Sequence, residues 1–369
     1  MSHPDTFAVV TGGGTAGHVL PALAVAETLV ARGHDPATIT YAGCERGIET
    51  RLLPPTPFPY RFYDVIGFQR SLSRRNLGFV PKLIRSTRRA IRDLRKQRPS
   101  VVVSVGGYAS MPSVLAARRL RIPVVVVSYD RTPGRASRLA AKRAVACAVA
   151  FENSLLPRAE VTGAPVRQSI LDVDRENGRQ AARARLGLPD DRFVVAVMGG
   201  SQGSGVLNAA IGDYLADHVA DDGLAVRQAA GERFVDDIVS TPPPVLHQLI
   251  GYEPDMPAVY AAADLLVGRG GASTVHEVAV TGTPAILVPW ANATDDHQTD
   301  NVAWLSEQGA AILMAEADLG HLASTIERLR NDPEELAALG AAARERGEVH
   351  RSGALAALVE RVALTSAAS

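Results

Sequence analysis

The chain has 369 residues, few of them cysteine, and it has no long apolar run. Its two cysteines, Cys44 and Cys147, form neither a metal-ligand spacing nor a disulfide framework, so we expect a reducing, cytosolic setting. No apolar stretch approaches the length that crosses a bilayer. The first residues, MSHPDTFAVV, lack the basic and apolar regions of a signal peptide. These absences predict a protein that is soluble or peripheral to a membrane.

The formal net charge is zero, but the charges are segregated along the chain. Residues 1–163 carry a net charge of +14 and the remainder carries −14. Two halves of opposite charge are typical of a protein that meets a different partner with each half. A nucleic acid, an anionic substrate or an anionic membrane would suit the basic half; a chain merely rich in arginine is the alternative.

Most of the basic excess lies in residues 70–98, RSLSRRNLGFVPKLIRSTRRAIRDLRKQR, which hold eleven Lys and Arg and one acid. Basic side chains are attracted to an anionic leaflet, and exposed apolar side chains enter its interface. The segment therefore predicts peripheral membrane binding, with a solvated basic helix face as the alternative. The side chains expected at the membrane are Leu77, Phe79, Leu83, Arg74 and Arg75.

A glycine-rich loop, TGGGTAGH, joins a short apolar strand at 7–10 to a helix whose apolar residues recur from Val19 onward. The N–H groups and partial positive charge of a helix start suit an anion such as a phosphate. The loop also satisfies G-x-G-x-x-G, a weak dinucleotide signal, and it lacks the Lys-Ser/Thr ending of a P-loop. A tight turn without any ligand remains the alternative.

The second half repeats this arrangement, because FVVAVMGGSQG is again followed by a helical pattern. Further apolar strands alternate with helical patterns in both halves: ATITYAG, SVVVSVGG, IPVVVVS and AVACAVAF, then LAVRQAA, VLHQLIGY, DLLVGRGG and AILVPW. The alternation predicts two parallel sheets covered on both faces, with a domain boundary near 162–167. Ligands bind outside the carboxyl ends of such strands, so the glycine loops should line the site.

The loop GRGGASTVHE carries the most specific chemistry. Ala272, Ser273 and Thr274 should open a helix whose free N–H groups suit a diphosphate, and Glu277, about one turn inside, could accept hydrogen bonds from both ribose hydroxyls. This combination suits a nucleotide sugar; a first-turn acid that only favours the helix dipole is the alternative. The following DDHQTDN matches no common metal spacing, so we expect its amides to bind sugar hydroxyls instead.

Five ordered motifs resemble those of the MurG family, peripheral membrane glycosyltransferases that complete lipid II in bacterial cell-wall synthesis. The motifs are GGGTAGHVLPALAVAE, SVGGYAS, TGAPVR, GGSQGS, and GGASTVHE followed by DHQTDNVAWLSEQGAA. The resemblance implies an α/β chain with the GT-B fold, two Rossmann-like domains with parallel sheets facing a central cleft. It implies residues 1–163 as an acceptor- and membrane-facing domain, 164–342 as a UDP-sugar domain, and a final helix in 343–369 packing back toward the first.

The resemblance further implies UDP-N-acetylglucosamine as donor and lipid I, undecaprenyl-diphospho-MurNAc-pentapeptide, as acceptor at the cytoplasmic face of the membrane. It implies no cofactor, no metal and no nucleic acid. The implied catalytic residues are His18, a histidine of near-neutral pKa and hence a plausible base, and Asp130. Gly14 and Tyr108 are implied to bind the acceptor. The implied donor-binding residues are Thr15, Gly17, Arg167, Ser201, Gln202, Ala272, Ser273, Thr274, Glu277, Gln298 and Asn301.

The chain also departs from the family pattern. Ala16 stands where the family usually has glycine, and Val127, Ser128, Tyr129 and Asp130 stand where it usually has His-Glu-Gln-Asn. A different lipid or metabolite acceptor, or a UDP-sugar-binding protein without activity, therefore stays open. An NAD-dependent dehydrogenase would need a ribose-binding acid at the end of the second strand. Asp35 has nearly the right spacing but precedes that strand.

Overall fold

The computed structural model describes residues 6–67, 78–200, 202–291 and 297–367. The chain divides into two compact units, one of residues 1–168 with 352–369 and the other of residues 169–351. Each unit is an α/β layer structure built on a parallel sheet. None of the described helices combines the length and the apolar character that a bilayer-spanning segment needs.

The first unit alternates strands and helices from its first strand onward. Its elements are β1 (Ala8–Gly12), α1 (Ala16–Ala31), β2 (Ile39–Cys44), α2 (Glu49–Leu52), β3 (Tyr60–Tyr63), α3 (Phe79–Gln97), β4 (Val101–Gly106), α4 (Met111–Leu120), β5 (Val124–Ser128), α5 (Arg135–Ala141), β6 (Ala146–Val149) and β7 (Ala159–Val161). The sheet order is β3-β2-β1-β4-β5-β6-β7, with every pair parallel. Valine-rich strands suit this sheet because helices bury both of its faces.

The second unit begins within the short helix α6 (Gln168–Leu171). Its elements are α7 (Arg175–Leu186), β8 (Phe193–Met198), α8 (Gly205–Asp217), β9 (Leu224–Ala229), β10 (Leu246–Ile250), α9 (Met256–Ala262), β11 (Leu265–Arg269), α10 (Ala272–Thr281), β12 (Ala285–Val288), α11 (His297–Ser306), β13 (Ile312–Leu313), α12 (Leu322–Asn331) and α13 (Pro333–Arg351). The parallel sheet has the order β10-β9-β8-β11-β12-β13. Helix α14 (Ala354–Ala367) then belongs to the first unit and packs on α1.

The predicted pair of Rossmann-like domains with parallel sheets is confirmed, while the divisions between units lie later than the sequence suggested. The TGAPVR stretch stays with the first unit because Arg167 and the Gln168 N–H both bind the Glu27 carboxylate in α1. The final helix was expected in residues 343–369, but residue 343 lies within α13, which belongs to the second unit. Gly353, with φ of +71°, separates α13 from α14, the helix that returns to the first unit.

Candidate active site

In each sheet the strand order runs outward in opposite directions from two neighbouring central strands. A glycine-rich loop follows each of these central strands. In the first unit these strands are β1 and β4, and in the second they are β8 and β11. Each sheet therefore brings two glycine-rich loops together outside the carboxyl ends of its central strands, where ligands bind in open α/β sheets. Each unit thus presents one candidate ligand site.

The two loops of the first unit are in close contact. Gly107 has φ of +73°, and a Cβ there would lie 2.5 Å from the Gly13 carbonyl oxygen and 2.9 Å from His18 Cδ2. Gly14 has φ of +94°, and a Cβ there would lie 2.5 Å from the Tyr108 ring. Only glycine fits such contacts without strain. The sequence-predicted Gly14, His18 and Tyr108 are therefore brought together.

His18 lies in the first turn of α1 and is partly buried. Its Nδ1 is 2.7 Å from the Tyr129 hydroxyl oxygen, and the same hydroxyl donates a hydrogen bond to the Gly17 carbonyl. Burial lowers the pKa of His18 below its ordinary value, and the nearby Asp130 carboxylate opposes part of that shift. The imidazole is consequently neutral at neutral pH and able to accept a proton.

A cavity of about 130 Å³ lies against His18. Ser128 at the end of β5, the following Tyr129 and Asp130, and Arg135 at the start of α5 contribute to its wall. The stretch that departs from the family pattern thus lines the same cavity as His18, which brings the two predicted catalytic residues together. Their catalytic roles stay predictions.

Glu49 is a residue of this loop region that the sequence analysis missed. Its side chain is fully buried, and its carboxylate accepts hydrogen bonds from the backbone N–H groups of Gly14, at 3.2 and 3.4 Å to its two oxygens, and Cys44, at 2.7 Å. A buried carboxylate bound by backbone N–H groups fixes the course of the backbone. Only the topology could reveal this contact, because 35 residues separate Glu49 from Gly14.

In the second unit, Ala272, Ser273 and Thr274 form the first turn of α10, as predicted. The N–H groups of a first helical turn have no acceptor within the helix, and the helix dipole favours an anion beside them. Glu277 lies one turn further along, and its Oε2 accepts a hydrogen bond from the Tyr260 hydroxyl at 2.7 Å. Burial and the Glu277 carboxylate raise the pKa of Tyr260, so this donor keeps its proton. Tyr260 thus orients Glu277.

The loops after β8 and β11 are joined by Arg269, a second residue that the sequence analysis missed. Its guanidinium donates to the Ser204 hydroxyl at 2.7 Å and to the Val288 and Pro289 carbonyls at 3.3 Å each. Gln202, predicted to bind the donor, lies exposed in the loop that Arg269 braces, whereas Ser201 lies outside the described residues. The sequence signal for this role was the arginine at the end of the apolar strand, in the motif GRGG.

The two amides predicted to bind the donor sugar differ in their surroundings. Gln298 is partly exposed at the start of α11, and its Oε1 accepts a hydrogen bond from the Trp290 backbone N–H at 2.9 Å. The bond leaves the Gln298 NH₂ group as the part able to donate to a ligand. Asn301 is fully buried in the same helix, which favours a role in fixing α11 over direct contact with a sugar.

The remaining predicted residues lie in the first unit or outside the described residues. Thr15 and Gly17 are exposed beside His18, and Arg167 forms an ion pair with Glu27 at 3.1 Å. Phe79 and Leu83 lie in the first turns of α3. Leu77, Arg74 and Arg75 fall outside the described residues.

Among the residues that are described, no group of three His, Cys, Asp or Glu side chains is arranged to hold a metal ion.

Comparisons with known proteins agree with this geometry. The model of the glycosyltransferase family 28 N-terminal domain matches residues 8–149, and that of its C-terminal domain matches residues 194–353. The similarity covers 97% of the chain and 99% of the crystal structure of Acinetobacter baumannii MurG, with a TM-score of 0.70 and 26% identity. A UDP-GlcNAc 2-epimerase from Neisseria meningitidis, 13% identical with a TM-score of 0.68, shares the fold alone. Fold and family models together define a two-domain glycosyltransferase.

Curated relatives narrow this class to one family. A protein of Desulforudis audaxviator is 34% identical over 96% of this chain and 98% of its own length, and one of Mycolicibacterium vanbaalenii is 38% identical over 91% and 84%. Both are named UDP-N-acetylglucosamine–N-acetylmuramyl-(pentapeptide) pyrophosphoryl-undecaprenol N-acetylglucosamine transferase. The chain belongs to this family, the MurG family of glycosyltransferases.

Proposed function

We propose that the chain transfers N-acetylglucosamine from UDP-N-acetylglucosamine to the C4 hydroxyl of MurNAc in undecaprenyl-diphospho-MurNAc-pentapeptide, converting lipid I to lipid II. The observation that carries the proposal is nearly full-length similarity to relatives named for this transfer. The site residues supply chemical groups that match the donor and the acceptor of this transfer.

The second unit holds the donor. The N-terminal turn of α10 binds the diphosphate through its N–H groups, and Glu277, oriented by Tyr260, accepts hydrogen bonds from the ribose hydroxyls. The NH₂ group of Gln298 donates to the N-acetylglucosamine sugar. As the bond between the sugar C1 and the diphosphate breaks, negative charge grows on UDP. The oriented N–H groups of α10 stabilise that charge.

The first unit holds the acceptor, next to Gly14 and Tyr108. His18 accepts the proton of the attacking C4 hydroxyl, whose oxygen forms a bond to the donor C1 from the face opposite the leaving UDP. The UDP departs with the electron pair, and the anomeric configuration inverts. A neutral imidazole suits this task, because burial lowers the pKa of His18 and only the unprotonated ring can accept the hydroxyl proton.

A second candidate is the same transfer to a different lipid or metabolite acceptor. The stretch Val127, Ser128, Tyr129 and Asp130 favours it, because these residues replace the usual His-Glu-Gln-Asn and all four line the cavity beside His18. Incubation with purified lipid I and a panel of UDP-sugars, followed by the mass of each product, tests both. We expect lipid II from UDP-N-acetylglucosamine; turnover only with another sugar or acceptor would establish the second candidate. UDP binding without any product would contradict both.

We propose further that α3 binds the anionic cytoplasmic face of the membrane. Val80 and Ile84, four residues apart, are 56% and 47% exposed, whereas Phe79 and Leu83 are half-buried. Lys82 pairs with Asp64 and Arg89 with Glu45. The cationic side chains of the helix without an acidic partner among the described residues include Arg85, Arg88, Arg92 and Arg95. The exposed face of α3 is therefore both apolar and positively charged.

Replacing Val80 and Ile84 together by serine should lower binding to anionic vesicles and activity on vesicle-embedded acceptor, while UDP binding stays intact. The wild-type binding should weaken as salt is raised, since each basic residue near an anionic leaflet contributes about 1 kcal/mol that salt screens. Vesicle sedimentation measures both effects. Val145→Ser is the matched control, because Val145 is 49% exposed outside the helix. Equal sedimentation with neutral and anionic vesicles would show that the face is only solvated surface.

A further inference from the structure

The hydroxyl of Tyr129 lies between the His18 ring and the backbone of the opening loop. It is 2.7 Å from His18 Nδ1, and it contacts the Gly17 carbonyl oxygen. Tyr129 is 5% exposed at the end of β5, and burial raises the pKa of its phenol, so the hydroxyl keeps its proton. This contact joins residues that are 111 positions apart in the sequence.

Counting protons at this contact fixes which nitrogen of His18 carries hydrogen. A carbonyl oxygen only accepts hydrogen bonds, so the single proton of the Tyr129 hydroxyl lies toward Gly17. The hydroxyl oxygen then accepts from His18, and Nδ1 must be the protonated nitrogen of the neutral ring. Nε2 is left as the acceptor, and it has no hydrogen-bond partner among the described residues.

The rest of the surroundings keep the ring in this orientation. The His18 backbone N–H donates to the Thr15 carbonyl at 3.0 Å, and Gly107 comes close enough that a Cβ there would lie 2.9 Å from His18 Cδ2. The ring is thus held through its backbone, by the close approach of Gly107 at Cδ2, and at Nδ1. His18 and Tyr129 both line the cavity of about 130 Å³.

We propose that Tyr129 is a positioning residue, which holds His18 in the Nδ1-protonated tautomer and leaves Nε2 to take the proton of the attacking hydroxyl. The inference rests on the proposed function. In the proton-transfer step the acceptor O–H bond breaks, an N–H bond forms at Nε2, and the ring becomes positively charged. The Tyr129 oxygen, as acceptor from Nδ1–H, favours that charged ring.

The test compares wild type with Tyr129→Phe by ¹⁵N NMR of labelled histidine and by kinetics. In wild type, His18 should show a protonated Nδ1 and an unprotonated Nε2. In Tyr129→Phe the nitrogen shifts should move toward a mixture of tautomers. We expect kcat to fall about 2- to 10-fold, the loss corresponding to one hydrogen bond, with an unchanged KM for UDP-N-acetylglucosamine. The spectrum of His18→Asn identifies the His18 signals among the nine histidines.

Tyr63→Phe is the matched control, because Tyr63 is another buried tyrosine of the first unit whose hydroxyl donates to Asp93 at 3.1 Å. It should change neither kcat nor the His18 shifts. An Nε2-protonated His18 in wild type, or unchanged nitrogen shifts in Tyr129→Phe, overturns the inference even if the chain makes lipid II. Failure of wild type to transfer any sugar overturns the proposed function, whereas the NMR result still reports whether Tyr129 sets the tautomer.

Discussion

Replacing His18 by alanine is expected to lower kcat by about 10²- to 10⁴-fold, the range for loss of a general base, with Tm nearly unchanged. Stability should persist because the Tyr129 hydroxyl keeps its bond to the Gly17 carbonyl when the imidazole is gone. The measurement is steady-state turnover of lipid I beside a thermal melt of each variant.

Two further variants test whether the lost activity comes from the missing base or from another effect of removing an imidazole. His18→Asn keeps an N–H group able to donate toward Tyr129 but has no Nε2, so it should lose as much activity as His18→Ala. His34→Ala removes an imidazole beyond the opposite end of α1, where it pairs with Glu360, and it should leave kcat unchanged. Near-normal turnover in His18→Asn would rule out His18 as the base and favour Asp130.

The pH dependence of kcat checks the same assignment. The base works as the neutral ring, so activity is lost as pH falls through the pKa of His18, which burial places below its ordinary value of 6.5. Asp130 opposes that shift, so Asp130→Asn should lower the pKa further and move the acid limb of the profile to lower pH. An acid limb that stays in place would mean that Asp130 does not act on the titrating group.

The parallel sheets could be predicted because their central strands are buried on both faces and therefore have mainly apolar sequences. β4, with the sequence VVVSVG, and β12, with AILV, are examples. The strands that were missed, β3, β7 and β13, all lie at sheet edges. β7 is exposed along its whole length, and an exposed strand needs no apolar run.

The glycine loops and the start of α10 could be predicted because local sequence determines a strand, a turn and a helix start. The contacts that orient the side chains could not. Tyr129 reaches His18, and Glu49 reaches Gly14, only after β5 and β2 take their places in the sheet. Tyr260 likewise meets Glu277 through the packing of α9 against α10. Single-sequence patterns carry spacing along one element but not pairing between distant elements.

Glu277→Ala is expected to weaken UDP binding by about 1.5–3 kcal/mol, the scale of hydrogen bonds to a charged group. The loss corresponds to roughly 10- to 150-fold in Kd. The reason is that only the carboxylate one turn into α10 is assigned to both ribose hydroxyls, while the first-turn N–H groups remain to bind the diphosphate. Isothermal titration of each variant with UDP measures the change.

Alanine at this position also leaves the buried Tyr260 hydroxyl without its acceptor, so part of any effect could come from lost stability. Glu277→Gln removes the ambiguity, because its amide oxygen can accept from Tyr260 but lacks the second acceptor that a diol needs. The Glu277→Gln variant should keep the wild-type Tm but bind UDP more weakly than wild type. Tyr260→Phe is the reverse control: it keeps the carboxylate, frees its orientation and should weaken UDP binding less than Glu277→Gln. If Glu277→Gln binds UDP as tightly as wild type, Glu277 does not bind the ribose and serves only to favour the dipole of α10.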